Sequence, residues 1–316
     1  MRIVVTGAAG FIGSHMVEYL ARQGHEVVAL DCFLEDSYSA AIKRSNWKRL
    51  SGLEIVDQAE VDLRTDDLRP VLRGADCVVN EAAMPGLMKS WQDFRLYCEC
   101  NLLAVERLLN GMDRMGVPRL IQISTSSVYG SHAIGDEDIP TRPVSPYGVT
   151  KLAAEHLVSS YANVTGISAI ILRYFSIFGP RQRPDMAYNI FCNALLRGAP
   201  LTLYGDGSQS RSNTYVDDAV EATALAITHG KAGEVYNIAG QQQISLAQAL
   251  NTLSEHLRVS PQITWRPARP GDQRETRGDA RKAQRDLGWT AKTTIAEGLK
   301  AQADWQSEVF RDTGPK

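Results

Sequence analysis

Apolar residues along the first half of the chain recur in two alternating patterns. Short runs rich in β-branched residues alternate with longer stretches in which apolar residues return every three or four positions. The short runs predict strands, and the longer stretches predict amphipathic helices. The predicted strands are residues 3–5, 25–30, 53–56, 77–79, 120–123 and 169–172, and the main predicted helices are residues 94–115 and 146–163. Such alternation predicts an α/β fold built on a doubly wound parallel sheet.

The pattern changes after residue 173. Turn-rich pieces such as Gly179-Pro180 separate short predicted strands at Leu201–Tyr204 and at residues 234–238, and a helix is predicted over Leu246–Leu257. We therefore predict a first domain at residues 1–173 and a smaller α/β carboxy-terminal lobe at residues 174–316, with some of the chain crossing back to the first domain. Residues 39–52 are rich in basic side chains, and we interpret them as a solvated helix or loop.

Three glycines follow the first predicted strand at three-residue intervals. Gly7, Gly10 and Gly13 lie between that strand and an amphipathic helix. Glycines in this context let the backbone turn tightly and approach a pyrophosphate, which binds at the amino terminus of the helix, as in the Rossmann fold. Asp31 ends the second predicted strand, where a carboxylate accepts hydrogen bonds from the adenosine ribose. No basic residue occurs at positions 32–34, so we predict NAD rather than NADP.

Composition and charge exclude several classes of protein. The 316 residues are 44% apolar and 22% charged, and 34 basic and 36 acidic side chains leave a formal net charge of −2. This mixed balance argues against a nucleic-acid surface. No apolar run reaches the roughly 18 residues that span a bilayer, and we expect no signal peptide, because the first residues already enter the first predicted strand. The five cysteines are scattered without metal-ligand spacing, so we expect reduced thiols, no metal site and a cytoplasmic location.

A tyrosine and a lysine four residues apart form a candidate catalytic pair. Tyr147 and Lys151 share one face of the helix that begins near Pro146. A nearby ammonium and a nicotinium charge favour the phenolate, which makes tyrosine a usable general base. The hydroxyl groups at residues 124–126 follow a predicted strand, where the strands of such sheets meet the cofactor. The combination indicates a redox enzyme.

These motifs together resemble the extended short-chain dehydrogenase/reductase superfamily, and within it the nucleotide-sugar 4-epimerases. The resemblance covers almost the whole chain. It is carried by residues 6–15 (TGAAGFIGSH), 62–63 (DL), 124–130 (STSSVYG), 145–151 (SPYGVTK), 179–185 (GPRQRPD), 204–207 (YGDG) and 269–272 (RPGD).

The resemblance implies a role for each matching residue. The implied catalytic residues are Thr125, Tyr147 and Lys151. The implied NAD-binding residues are Gly7, Ala9, Gly10, Phe11, Ile12, Gly13, Asp31, Asp62, Leu63, Ala82, Ala83, Asn101, Tyr147, Lys151 and Tyr174. The implied substrate-binding residues are Pro85, Gly86, Ser126, Ser127, Ser176, Arg183, Asn189, Tyr204, Arg211, Arg269 and Asp272. Arg211 and Arg269 would hold a sugar-nucleotide diphosphate, because arginine forks fit phosphate geometry.

The residues after Thr125 distinguish the reactions of the family. The 4,6-dehydratases of this family carry Asp-Glu there and the glucuronate decarboxylases carry Ser-Glu, whereas this chain has Ser126-Ser127. The resemblance therefore implies 4-epimerisation. Ser176 matches a small hydroxyl residue of the UDP-glucuronate 4-epimerases, which implies conversion of UDP-glucuronate to UDP-galacturonate. Ser126, Ser127 and Ser176 would donate to the carboxylate, and Arg183 would supply positive charge.

Several departures from the family pattern leave alternatives open. Residues 80–81 read Asn-Glu where the family has His-Leu, Met88 replaces a frequent arginine, and Ser212-Asn213 replaces Asp-Phe. A UDP-glucose/UDP-galactose or N-acetylhexosamine 4-epimerase is the first alternative. A dehydratase, a decarboxylase or a non-catalytic NAD-sensing protein are the others. The apolar residues of helices 94–115 and 146–163 imply, as in relatives, a homodimer with a four-helix interface.

Overall fold

The computed structural model describes residues 1–35, 38–267 and 275–313, and strands and helices alternate through its first half. The strands are β1 Arg2–Thr6, β2 Glu26–Asp31, β3 Val56–Glu60, β4 Cys77–Asn80, β5 Arg119–Thr125, β6 His132–Gly135, β7 Ser168–Tyr174, β8 Ile177–Phe178, β9 Leu201–Tyr204, β10 Ser210–Ser212, β11 Thr214–Tyr215, β12 Val235–Ile238, β13 Gln243–Ser245, β14 Ile263–Arg266 and β15 Glu275–Gly278. The α-helices are α1 Phe11–Arg22, α2 Ala40–Leu50, α3 Arg69–Leu72, α4 Phe94–Cys98, α5 Ala104–Met115, α6 Pro146–Thr165, α7 Ala187–Arg197, α8 Val216–His229, α9 Leu246–Leu257, α10 Arg281–Leu287 and α11 Ile295–Thr313.

Within these described residues, a seven-stranded parallel sheet has the order β12-β7-β5-β4-β1-β2-β3. Its central strands are apolar on both faces, as parallel strands covered by helices must be. In β1, Ile3 and Val5 join a core shared with α1, α8 and α10, whereas Val4 joins a second core shared with α5 and α6. The predicted doubly wound α/β fold is therefore confirmed.

Two predicted strands differ from the observed ones. The third strand begins at Val56 and runs to Glu60 instead of covering residues 53–56, because this edge strand carries polar residues that the hydrophobic pattern does not detect. The strand at Val235–Ile238 pairs with β7, with Tyr236 opposite Leu172, and so belongs to the large sheet. The domain division at residue 173 stays a prediction, and this strand returns across it.

The smaller lobe packs three helices around its own core. Side chains of α7, α9 and α11 meet those of β9, including the buried Phe191, Leu250 and Leu299. The predicted strand Leu201–Tyr204 and helix Leu246–Leu257 have the observed bounds. Gln302 on α11 donates to the Gln182 side chain at 2.8 Å and accepts from the Gly179 amide at 3.0 Å. The last helix thereby holds the segment that connects β8 to α7.

Candidate active site

A cavity of about 350 Å³ lies at the carboxyl ends of the large-sheet strands. Ligands bind at this edge in open α/β sheets. The predicted residues that line it are Gly7, Gly10, Phe11, Ile12, Gly13, Asp31, Asp62, Leu63, Ala82, Ala83, Pro85, Thr125, Ser126, Ser127, Tyr147, Lys151, Tyr174, Ser176, Arg183 and Arg211. The cofactor-side, catalytic and substrate-side predictions thus meet in one cavity, although their individual roles stay predictions.

The glycine turn leaves room for a dinucleotide diphosphate. Gly7 has φ of 66°, a left-handed conformation, and a Cβ there would lie 2.9 Å from the Ala82 nitrogen. A Cβ on Gly13 would lie 2.2 Å from the Gly7 carbonyl oxygen. Gly10 occupies the N-cap position of α1, so no side chain accepts a hydrogen bond from the first amides of the helix. The first amides of α1 thus lack a side-chain cap at the cavity, which suits an anion.

We expect Gly13→Ala to purify with little bound NAD. The added methyl group overlaps the Gly7 carbonyl, so α1 must move away from the turn, and overpacking of this kind costs about 1–3 kcal/mol. NAD affinity should fall at least about tenfold. Titration with NAD, followed by tryptophan fluorescence, measures the change. Gly52→Ala is the matched control, because its Cβ would meet only the Arg49 carbonyl at 3.8 Å. Equal affinities in the two variants would contradict the assignment of this turn.

The end of the cavity lined by Asp31, where adenosine is predicted to bind, contains a lysine that the sequence pattern did not reveal. Lys43 on α2 is buried and donates from Nζ to the Leu34 carbonyl at 2.5 Å. Asn46, one turn along, donates to the Ala9 carbonyl at 3.0 Å. The interpretation of residues 39–52 as a solvated face is therefore wrong for this side of the helix. The available signal was the spacing of Lys43, Asn46 and Leu50, which places all three on one face.

Asp31 lies at the same end, and its carboxylate already holds the backbone. It accepts hydrogen bonds from the Ala9 amide at 3.0 Å and the Phe33 amide at 2.8 Å. Burial raises the pKa of Asp31, while these bonds and the Lys43 ammonium oppose the rise. Asp31 thus ties the end of β2 to the glycine turn and still faces the cavity.

The predicted catalytic residues Thr125, Tyr147 and Lys151, called the trio below, lie where β5 ends and α6 begins. Pro146 occupies the first turn of α6, and the Ser145 hydroxyl caps it by accepting from the Gly148 amide at 3.1 Å. This start directs Tyr147 and the buried Lys151 into the cavity, one helical turn apart. Thr125 ends β5, and its hydroxyl lies close enough to the Tyr147 phenol to lower the pKa of that group. The arrangement matches a base with a hydroxyl partner.

The charges around the trio act in opposite directions. Burial raises the pKa of Tyr147, and the Thr125 hydroxyl and the Arg183 guanidinium lower it. Burial lowers the pKa of Lys151 to about 8, although the carboxylates of Glu81 and Glu155 act to raise it. Lys151 donates to the Ile123 carbonyl at 2.6 Å. Tyr147 is therefore a neutral phenol in this environment and needs further positive charge, such as a nicotinium, to act as a base.

Hydroxyl groups line the side of the trio where the substrate is predicted to bind. Ser126 and Ser127 begin a short 3₁₀ turn, in which the Ser127 amide donates to the Thr125 hydroxyl at 3.1 Å. Ser176 lies between β7 and β8 with φ of 32°, a conformation that is uncommon for a residue other than glycine. Arg183 reaches the same cavity and forms a paired contact with Asp185 at 3.0 Å.

Several predicted residues do not line the cavity. Asn101 is buried in a π-helical turn between α4 and α5, where it accepts from the Met84 amide at 2.7 Å and donates to Thr150 on α6 at 3.1 Å. It therefore positions the catalytic helix and the turn after β4. Asn189 is also buried and donates to the Gln182 carbonyl at 2.6 Å. The others outside the lining are Ala9, Gly86 and Tyr204, while Arg269 and Asp272 lie outside the described residues.

The fold and cavity define a dinucleotide-dependent enzyme with a tyrosine–lysine pair. A model of the NAD dependent epimerase/dehydratase family matches residues 3–239, and the chain belongs to this family. The chain is 37% identical to UDP-glucuronic acid 4-epimerase from Bacillus cereus, solved in complex with UDP-glucuronic acid and NAD, with a TM-score of 0.94 over 98% of this chain and 100% of that one.

Two further relatives carry different names. The chain is 35% identical to an uncharacterized UDP-glucose epimerase of Bacillus subtilis (strain 168), over 98% of this chain and 99% of the relative. It is 32% identical to dTDP-glucose 4,6-dehydratase of Streptomyces griseus, over 96% of this chain and 93% of the relative. The predicted family, the enzyme class and the use of NAD are confirmed. Among the described residues, no helix has the length and apolarity to cross a membrane.

Proposed function

We propose that this enzyme catalyses the 4-epimerisation of UDP-glucuronate to UDP-galacturonate. The supporting observation is the set of serines beside the catalytic trio: Ser126, Ser127 and Ser176 line the cavity together with Tyr147. Among the described lining residues, the carboxylates are those of Asp31, Asp62 and Glu81, and none lies in the segment that follows Thr125. The 4,6-dehydratases that this chain resembles carry an acidic pair in that segment, and this chain has Ser126-Ser127 instead.

The trio supports reversible oxidation of the sugar at C4. Tyr147 takes the proton of the C4 hydroxyl through its phenolic oxygen, and the Thr125 hydroxyl shares that hydrogen bond. The glycine turn and Asp31 would hold NAD, which would supply a reversible hydride acceptor for C4. The Arg183 guanidinium lowers the pKa of Tyr147, and the Lys151 ammonium, one helical turn away on α6, adds positive charge to the same cavity. Both charges favour the phenolate in the step that removes the proton. After the 4-keto sugar turns over in the cavity, Tyr147 returns the proton to the oxygen.

The serines restrain the carboxylate during this step. A 4-keto glucuronate is a β-keto acid, which loses carbon dioxide when its C5–C6 bond aligns with the ketone π system. Hydroxyl donors on the rigid ends of β5 and β7 can hold the carboxylate away from that alignment. Arg183 adds charge to this side of the cavity, with its guanidinium oriented by Asp185.

The first test is incubation with UDP-glucuronate and, separately, with UDP-glucose in the presence of NAD. We expect a C4 epimer of unchanged mass from the uronate, detected by anion-exchange chromatography and mass spectrometry. Ser176→Ala should lower kcat/KM for the uronate about tenfold, because a hydrogen bond to a charged group contributes about 1.5–3 kcal/mol. Loss of carbon dioxide or water from the product, or no conversion of the uronate, would contradict the proposal.

A UDP-glucose 4-epimerase is the second candidate. It is favoured by the Bacillus subtilis relative and by Met88, which is 55% exposed where the resemblance would place an arginine. The same incubation separates the two functions, because this candidate converts UDP-glucose and leaves the uronate unchanged. The trio would then act identically on a hydroxymethyl sugar.

We also propose that the protein is a cytoplasmic homodimer. Phe94, Leu103 and Val149 on the two helical segments assigned to the interface are 48%, 55% and 45% exposed. Exposed apolar residues clustered on neighbouring helices are typical of a contact surface. All five cysteines are free, which agrees with a reducing compartment.

A further inference from the structure

Glu81 places a carboxylate inside the catalytic cavity. It follows β4 directly and precedes Ala82, at a position where the resemblance would place an apolar residue. The Ala82 amide donates to the Thr6 hydroxyl at 3.0 Å, which fixes this turn against the glycine turn after β1. The backbone of Glu81 is therefore held at the cofactor side of the site.

The side chain of Glu81 extends towards the catalytic side. Its Oε1 accepts a hydrogen bond from the Tyr174 hydroxyl at 3.2 Å, and Tyr174 is itself 2.5 Å from the Thr223 hydroxyl. Tyr174 ends β7, whereas Glu81 follows β4, and β5 with Thr125 lies between these two strands. The contact between Glu81 and Tyr174 therefore spans the carboxyl end of β5, which carries Thr125.

Glu81 is half-buried, so its charge acts in a region that holds less water than bulk solvent. Burial raises the pKa of Glu81 to about 7, against the Tyr174 hydroxyl and the Lys151 ammonium, so the side chain is mainly a carboxylate above that pH. The Lys151 ammonium is itself bonded to the Ile123 carbonyl. Charge interactions in such a region are several times stronger than in water. A nicotinamide ring bound beside Tyr147 and Lys151 would also interact electrostatically with this carboxylate. The ring carries a positive charge only in its oxidised form.

We propose that the charge of Glu81 biases the bound nicotinamide towards its oxidised form. The carboxylate stabilises the positive ring relative to the neutral reduced ring, so the hydride taken from the sugar is readily returned. Ready return of the hydride favours a reaction, such as epimerisation, that ends with the cofactor unchanged. In that respect the inference rests on the proposed function. An uncharged side chain at this position would leave the reduced cofactor relatively more stable.

The test measures hydride acceptance without any sugar. Sodium cyanoborohydride transfers a hydride to C4 of the nicotinamide: a B–H bond breaks, a C–H bond forms, and the ring gains two electrons while the boron hydride is oxidised. Absorbance at 340 nm follows the reaction on the NAD-loaded enzyme at about pH 8, above the raised pKa of Glu81, so that the wild-type side chain is ionised. We expect Glu81→Gln, which keeps the shape and removes the charge, to be reduced about tenfold faster, equivalent to about 1.4 kcal/mol. Glu54→Gln, at an exposed site, is the control.

The outcomes separate charge from shape. Glu81→Asp keeps the charge and should be reduced within about twofold of the wild-type rate. An unchanged or slower rate in Glu81→Gln, or an equally accelerated rate in Glu81→Asp, would overturn the proposal. A tenfold acceleration in Glu81→Asp excludes a charge effect whether or not Glu81→Gln retains NAD. Since no sugar is present, a failure to epimerise UDP-glucuronate leaves this result unaffected.

Discussion

Tyr147→Phe will lose turnover of the nucleotide sugar while it retains NAD. The substitution removes the phenolic oxygen that takes the C4 proton and leaves the ring, whose centroid lies 6.2 Å from that of Tyr97. General acid–base catalysis contributes about 10²–10⁴-fold to a rate, so we expect kcat to fall about 10³-fold. The rate of epimer formation and the NAD content of the purified protein are the two measurements.

Tyr161→Phe is the control for this experiment. Tyr161 lies on the same helix, and its hydroxyl bonds Glu106 and Asn110 away from the cavity. The control variant should keep kcat within about twofold, since it changes a partly exposed surface hydrogen bond. Retention of more than about a tenth of the wild-type turnover by Tyr147→Phe would remove Tyr147 from the role of base.

Arg173→Met will cause a large loss of stability. Arg173 and Glu155 are 6% and 4% exposed, and their paired hydrogen bonds are 3.0 and 2.7 Å long. Ser124 also donates to this carboxylate, and Tyr129 accepts from Arg173 at 2.8 Å. Removing the guanidinium leaves a buried carboxylate without its counter-ion, which costs about 3–5 kcal/mol. Urea unfolding of the NAD-free proteins measures the change.

Two further variants test whether the loss of stability in Arg173→Met comes from its buried ion pair. Arg95→Met breaks an exposed ion pair with Glu99, in which the arginine side chain is 89% exposed, and should cost less than about 1 kcal/mol. The double variant Arg173→Met/Glu155→Met removes both buried charges and should recover part of the lost stability. A loss below about 1 kcal/mol in Arg173→Met alone would show that the pair is not essential to the core.

Sequence patterns predicted most of the large sheet because its central strands are apolar on both faces. β4 and β5 read as continuous runs of buried residues, and the observed strands contain the predicted ones. The predicted bounds of the edge strand β3 are wrong because three of its five residues are polar, which gives the strand no apolar pattern. The position of β12 beside β7 could not be predicted, since pairing between distant segments depends on the whole packing and not on local periodicity.

The candidate site was predicted where a motif specifies the backbone. The glycine turn and the Tyr147–Lys151 spacing each require a defined local geometry, and both sets line the cavity. Lys43 was missed because it lies in a polar helix with a weak apolar stripe. The contact between Glu81 and Tyr174 joins two strands separated by a third, so residue spacing carries no signal for it.

The late strand β12 has a consequence for synthesis of the chain on the ribosome. When β7 has emerged, its outer edge has no neighbour until residues 235–238 follow, and by then the first helix of the smaller lobe has also been made. An unpaired apolar edge can pair with another chain. We therefore expect nascent chains arrested between β7 and β12 to be bound by chaperones or to aggregate, and a fragment that stops at residue 173 not to fold independently.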